Sequence, residues 1–151
     1  MDIHEDLMFP ALAAAGRDDV LATLGQAVID RGFARADFVT ALLEREGEYP
    51  TGLPISGGVA IPHTAAEYVT TDTIVAATLA TPVTFAEMGG DATSEVPVST
   101  VLLLVLADSS KHVSVLSRLI KGLQKADLVE SLHQASDQKA MASVIAELVS
   151  R

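Results

Sequence analysis

Apolar positions recur at helical spacing in two stretches of the first fifty residues. In DDVLATLGQAVIDRG, residues 18–32, the side chains of Val20, Leu21, Leu24, Ala27 and Val28 share one face. Asp18 or Asp19 can cap the start of this helix and Gly32 can end it. RADFVTALLEREG, residues 35–47, gives a second helix with Phe38, Leu42 and Leu43 as its apolar face, Asp37 near its start and Gly47 near its end. The pattern then changes. DLMFP, residues 6–10, fits a short first strand, and VAIP, residues 59–62, a second. TDTIVAATLATP, residues 71–82, is β-branched and bounded by Asp72 and Pro82, which predicts a strand between them. VPVSTVLLLVLAD, residues 96–108, is apolar on both faces, as a fully buried strand must be. Residues 48–58, EYPTGLPISGG, are too rich in Gly and Pro to stay regular for long, and EMGGDATSE, residues 87–95, is a loop.

Three helical segments follow. In residues 109–124 Val113, Leu116, Ile120 and Leu123 fall at helical spacing, and two further helical segments follow at residues 127–135 and 136–150. Strands in the first two thirds, with helices before and after them, predict an α/β fold: a three-layer α/β/α sandwich on a mixed β-sheet. No repeat, low-complexity tract or linker divides the chain, so residues 1–151 read as a single domain.

Composition narrows the possible chemistry. The core must be built from Ala, Val, Leu and Ile, because 49% of residues are apolar but only 4% aromatic, with no Trp. The absence of Cys excludes a disulfide scaffold, a thiolate zinc site and a thiol nucleophile. The formal charge of −10 disfavours nucleic acid, whose phosphates demand a basic face, and suits basic protein partners. The acidic opening MDIHEDLMF is unlike a secretory signal. The longest apolar run, VLLLVLA at residues 101–107, falls far short of the roughly 20 residues of a membrane helix. A cytoplasmic protein with no direct membrane insertion is expected.

The four histidines, His4, His63, His112 and His133, are widely spaced and form no metal-ligand pattern, so no metal site or cofactor is expected. His4 falls in an N-terminal segment expected to be mobile, and His133 sits among polar neighbours as a surface residue. His63 stands apart because of GGVAIPHT, residues 57–64. Pro62 fixes its own φ and biases Ile61 toward an extended conformation, so a stiff backbone aims the next side chain at the end of a strand. Gly57 and Gly58 allow close approach of a ligand or another segment, and Thr64 adds a hydroxyl beside the ring. The plain alternative is a strand-end histidine bonded to a loop carbonyl. Arg45, at the end of the second helix, can reach toward that strand end with a guanidinium suited to a phosphoryl group, or can simply pair with Glu44 or Glu48. His112 falls in the first turn of the helix that Asp108, Ser109 or Ser110 can cap. Free N–H groups there favour an anion, although a surface histidine would fit equally well.

Taken together, LLEREGEYPTGL (residues 42–53), GVAIPHT (58–64) and KHVSVLSRL (111–119) resemble a known family in their order and spacing. It is the enzyme IIA component of the bacterial phosphoenolpyruvate-dependent sugar phosphotransferase system, in its fructose–mannitol type. The resemblance covers nearly the whole chain. EYPTG and GLQKADLVESL look most like the galactitol-specific branch, from which His112 is a departure, because that branch often lacks the second histidine. The resemblance implies a phosphotransferase that acts as a phosphohistidine carrier. His63 would accept a phosphoryl group from the phosphocarrier HPr and pass it to a cysteine of enzyme IIB, which serves the membrane component enzyme IIC. It implies that Arg45 lies near the phosphoryl group and that His112 is a second pocket histidine, with Thr64 and Ser110 as further pocket candidates. Two other readings share the fold: a regulatory, nitrogen-type domain whose phosphorylation is a signal, and a non-catalytic interaction module. A hydrolase with His63 as base ranks last, because no Gly-x-Ser-x-Gly elbow is present.

Overall fold

The computed structural model describes residues 1–150. Five strands, β1 (Met8–Leu12), β2 (Gly52–Leu53), β3 (Val59–Ala60), β4 (Thr73–Ala86) and β5 (Glu95–Val105), form one sheet in the order β1-β4-β5-β3-β2. The sheet is mixed: β1 runs parallel to β4 and β3 to β5, while β4 and β5 are antiparallel, as are β2 and β3. Over residues 73–79 of β4 and 100–105 of β5 the central pair is buried on both faces, which explains the continuous apolar runs there.

Alternation along β5 divides the core. Val101, Leu103 and Val105 pack with Val20, Leu21, Leu24, Phe38 and Leu42 of α1 (Arg17–Asp30) and α2 (Phe38–Glu48). Leu102 and Leu104, with Ile74 and Ala76 of β4, face Leu119, Leu123, Leu132, Met141 and Ile145 of α3 (Ser109–Leu123), α4 (Ala126–Gln134) and α5 (Gln138–Ser150). The result is the expected α/β/α sandwich.

Several local expectations need correction. β4 does not stop at Pro82 but continues to Ala86. Between Thr78 (paired with Thr100) and Val83 (paired with Val98) its four residues 79–82 oppose the single residue Ser99. Pro82, which has no N–H to give, sits where the ladder is interrupted. β1 lies two residues later than DLMFP suggests. The N-cap of α1 is Gly16; the Asp19 carboxylate instead accepts the Ala15 N–H at 2.9 Å, and the Asp37 side chain makes no cap bond to α2. Val113 is 75% exposed, because the apolar face of α3 turns to the core through Leu119 and Leu123 instead. His4 is half-buried, its ring centroid 5.2 Å from that of Phe33 with the planes tilted by 43°.

Two glycines make the approach to β3 possible. Gly57 and Gly58 have φ of +82° and +90°, and a Cβ on Gly58 would fall 1.9 Å from the Pro97 carbonyl oxygen. The Gly58 carbonyl in turn accepts the N–H groups of Ser99 and Thr100 at 3.0 and 3.2 Å. The close approach that these glycines permit is therefore between segments of the sheet.

Candidate active site

His63 stands where β3 leaves the sheet. Past Ala60 the chain stays beside β5: the Leu104 N–H donates to the Pro62 carbonyl at 3.0 Å, and His63 itself bridges to Leu104. Ile61 and Pro62 are buried while His63 is half-exposed. The rigid Pro62 thus delivers the imidazole to the surface at the end of a buried strand. Its Nδ1 lies 3.0 Å from the carbonyl oxygen of Ile61. A carbonyl can only accept, so in the neutral ring Nδ1 carries the proton and Nε2 keeps the free lone pair.

The ring is also kept neutral. Burial pushes the His63 pKa below its ordinary 6.5, and the neighbouring His112 and Arg45 act in the same direction, against the opposing bond to Ile61. At neutral pH the site presents an uncharged imidazole nucleophile with a fixed tautomer.

Arg45 and His63 line one cleft of about 390 Å³, together with Glu48, Tyr49, Pro50, Thr51, Leu116 and residues 88–90. Arg45 forms no ion pair among the described residues. Its guanidinium carbon instead lies 4.4 Å from the ring centroid of Tyr49, one helical turn on, which holds the cation at the cleft. His112 reaches the site from the first turns of α3, its ring centroid 5.7 Å from that of His63. That helix start is well anchored: the Asp108 carboxylate accepts the Ser110 N–H at 2.9 Å, and Asp72 accepts the Ala107 N–H and the Lys111 ammonium at 2.7 and 2.9 Å. The Nε2 of His112 is buried and has no hydrogen-bond partner among the described residues.

The structure thus brings His63, Arg45 and His112 together. It does not place Thr64, Ser110 or His112 among the residues lining the cleft, and His112 meets the site through its ring contact with His63. Thr64 is buried and its hydroxyl donates to the Ala65 carbonyl at 2.9 Å, while the Ser110 hydroxyl donates to Asp108 at 2.7 Å. His133 is an exposed residue, as expected, with its Nε2 2.7 Å from the hydroxyl of buried Thr100. Sequence reasoning passed over Tyr49, whose spacing four residues after Arg45 is the signal of a stacked pair on one helix face. It also passed over the 88–90 loop, whose Met88 N–H donates to the Gly52 carbonyl at 2.8 Å and closes one wall of the cleft. A larger groove of about 560 Å³ between the N-terminus, α3 and α5 holds none of the histidines.

The fold has counterparts among solved structures. The chain matches the fold of enzyme IIA-Mtl from Escherichia coli, solved in complex with phosphorylated enzyme IIB-Mtl, with a TM-score of 0.75 at 19% identity over 96% of this chain and 99% of that one. It is 30% identical over 117 residues, 77% of each chain, to the galactitol-specific EIIA component of the phosphotransferase system of Escherichia coli (strain K12). It is 32% identical over 111 residues, 72% of this chain and 68% of the relative, to the fructose-specific EIIA component of Haloferax volcanii. Residues 2–148 match the family described as "Phosphoenolpyruvate-dependent sugar phosphotransferase system, EIIA 2", and the chain belongs to that family. As such it is a phosphotransferase component that carries phosphoryl groups between proteins.

Proposed function

We propose that His63 is the phosphoryl acceptor, that Nε2 is its reacting atom, and that HPr and enzyme IIB are its donor and acceptor partners. The observation that carries this reading is the Nδ1 bond to the Ile61 carbonyl in a half-exposed ring beside Arg45 and His112. The His63 Nε2 lone pair attacks the phosphorus of phosphohistidine on HPr. The new N–P bond forms as the old one breaks, and that bond's electron pair returns to the HPr imidazole. His63 keeps its Nδ1 proton throughout, so the phosphorylated ring is cationic and remains a good leaving group. The Ile61 carbonyl favours that charged form, the same direction in which it acts on the pKa of the free ring. In the second step a cysteine thiolate of enzyme IIB attacks the phosphorus, the Nε2–P bond breaks, and neutral His63 is regenerated.

Arg45 and His112 supply the electrostatics. The guanidinium held on Tyr49 offers planar paired donors to the phosphoryl oxygens, and the unpartnered His112 nitrogen offers one more. Thr64 and Ser110 serve the site indirectly, through the loop after His63 and the start of α3. The acidic surface suits a basic docking face on HPr. We place the protein in the cytoplasm as a single EIIA unit serving carbohydrate uptake through enzyme IIB and the membrane enzyme IIC; among the described residues no helix is long and apolar enough to cross a membrane. Galactitol- and fructose-specific relatives match to similar extents, so the likeness supports a carbohydrate without choosing between these two.

The test is intact mass after incubation with phosphoenolpyruvate, enzyme I and HPr. Wild type should gain one acid-labile phosphoryl group and His63→Ala none. A gain by His63→Ala would move the acceptor elsewhere.

A further inference from the structure

Glu46 is an expensive residue for its position. It is 1% exposed and lies in the last turn of α2, where the helix dipole disfavours a carboxylate and burial disfavours any charge. Burial pushes its carboxyl pKa up, opposed by hydrogen bonds from Thr51. Both oxygens are committed to that one residue: Oε2 accepts the Thr51 N–H at 2.7 Å and Oε1 accepts the Thr51 hydroxyl at 2.8 Å. Thr51 is itself buried, and its carbonyl accepts the Ile61 N–H at 3.4 Å, continuing the β2–β3 ladder of Gly52 with Ala60 and Leu53 with Val59. The Ile61 carbonyl, on the same residue, accepts Nδ1–H of His63.

We infer that Glu46 is a positioning residue for phosphoryl transfer, acting on His63 through the hydrogen-bonded chain Glu46–Thr51–Ile61–His63. The inference rests on His63 being the acceptor. Glu46 directly follows Arg45, so the same two bonds fix the helix end that carries the guanidinium and the backbone that orients the imidazole. A single buried carboxylate therefore sets the distance between the nucleophile and the cation that meets the phosphoryl oxygens. Without it the Thr51 N–H is left buried and unpartnered, and the turn of residues 49–51 that lines the cleft loses its tie to α2.

The experiment compares Glu46→Leu, which fills the space without accepting a bond, with Glu46→Gln, whose amide can accept the Thr51 N–H and donate to the Thr51 hydroxyl. Two readouts are taken on the folded proteins: the His63 tautomer from the ¹⁵N shifts of its ring nitrogens, and kcat and KM for phosphoryl transfer from phospho-HPr. Glu46→Leu should lower kcat by about tenfold to a hundredfold, the range expected when a reacting group is misplaced. KM for phospho-HPr should stay within about twofold, and the Nδ1–H tautomer should lose its dominance. Glu46→Gln should restore both readouts to within about threefold of wild type. Wild-type kcat and tautomer in folded Glu46→Leu would overturn the inference. So would a Gln variant as impaired as Leu, because charge rather than the bonded chain would then be at work. Should Glu46→Leu fail to fold, Thr51→Val removes only the hydroxyl bond and should shift the tautomer in the same direction, with a loss in kcat of about twofold to fivefold; an unshifted ring would refute the chain. His63→Ala is assayed alongside by intact mass. Phosphorylation of that variant would sink the acceptor reading, while the tautomer measurement would still report whether Glu46 orients the ring.

Discussion

Replacing Gly58 by alanine tests the idea that backbone contact, rather than side-chain packing, delivers His63 to its cleft. At φ +90° an L-residue is strained, at a cost of about 1–2 kcal/mol. The new methyl would also fall 1.9 Å from the Pro97 carbonyl oxygen, which the structure relieves only by separating the Gly58 segment from β5. That separation weakens the bonds from Ser99 and Thr100 N–H to the Gly58 carbonyl, each worth about 1 kcal/mol, and the overpacking adds about 1–3 kcal/mol. Together these give about 4–7 kcal/mol, a large fraction of the roughly 5–15 kcal/mol that holds a domain folded. Gly57→Ala is the control. Its φ of +82° imposes similar backbone strain, but the nearest atom to its Cβ is the Ser99 hydroxyl oxygen at 3.6 Å, an ordinary contact. It should lose only about 1–2 kcal/mol. Urea unfolding of both variants, followed by circular dichroism, measures the difference. If the two variants lie within about 1 kcal/mol of each other, the close approach to Pro97 does not govern this strand and the reasoning fails.

Phosphoryl acceptance should be pH-independent above about pH 6.5 and decline below it, as protonation removes the Nε2 lone pair from a ring whose pKa lies under its ordinary value. The sign for stability follows. The unfolded chain binds the His63 proton more readily, so stability decreases as pH falls through 6.5 and levels off below the folded-state pKa; a decline in rate that begins well above pH 7 would contradict both expectations. Arg45→Gln at pH 7.5 should slow transfer with the fold intact, and Tyr49→Leu should reproduce part of that loss, about twofold to fivefold, the value of an exposed cation–π contact. Equal rates for Tyr49→Leu and wild type in stopped-flow transfer would remove the stacked pair from the mechanism.

The sequence alone settled the layers, because they follow from local periodicity. The doubly apolar run of β5 could be buried only beneath helices on both sides, and the amphipathic segments of α1, α2 and α3–α5 supplied them. It also singled out His63, since Pro62 restricts the backbone through its own ring, whatever surrounds it. Motifs along the chain were enough to nominate Arg45 and His112 as well. Pairing across the sheet was not legible in the same way. Whether β4 would pass through Pro82 depended on how many residues opposed Ser99, a question of register that one strand cannot answer for itself. The outward turn of Val113 was likewise decided by which side of α3 met the sheet. The protonated nitrogen of His63 and the buried Glu46 carboxylate have partners close in sequence, the Ile61 carbonyl two residues back and Thr51 five residues on, which apolar periodicity does not mark; the place of His112 against the His63 ring was decided only when α3 packed. Periodicity records what a residue needs to bury, but a hydrogen bond also depends on which partner arrives within about 3 Å, and that is set by the turn between near neighbours as well as by the meeting of distant segments.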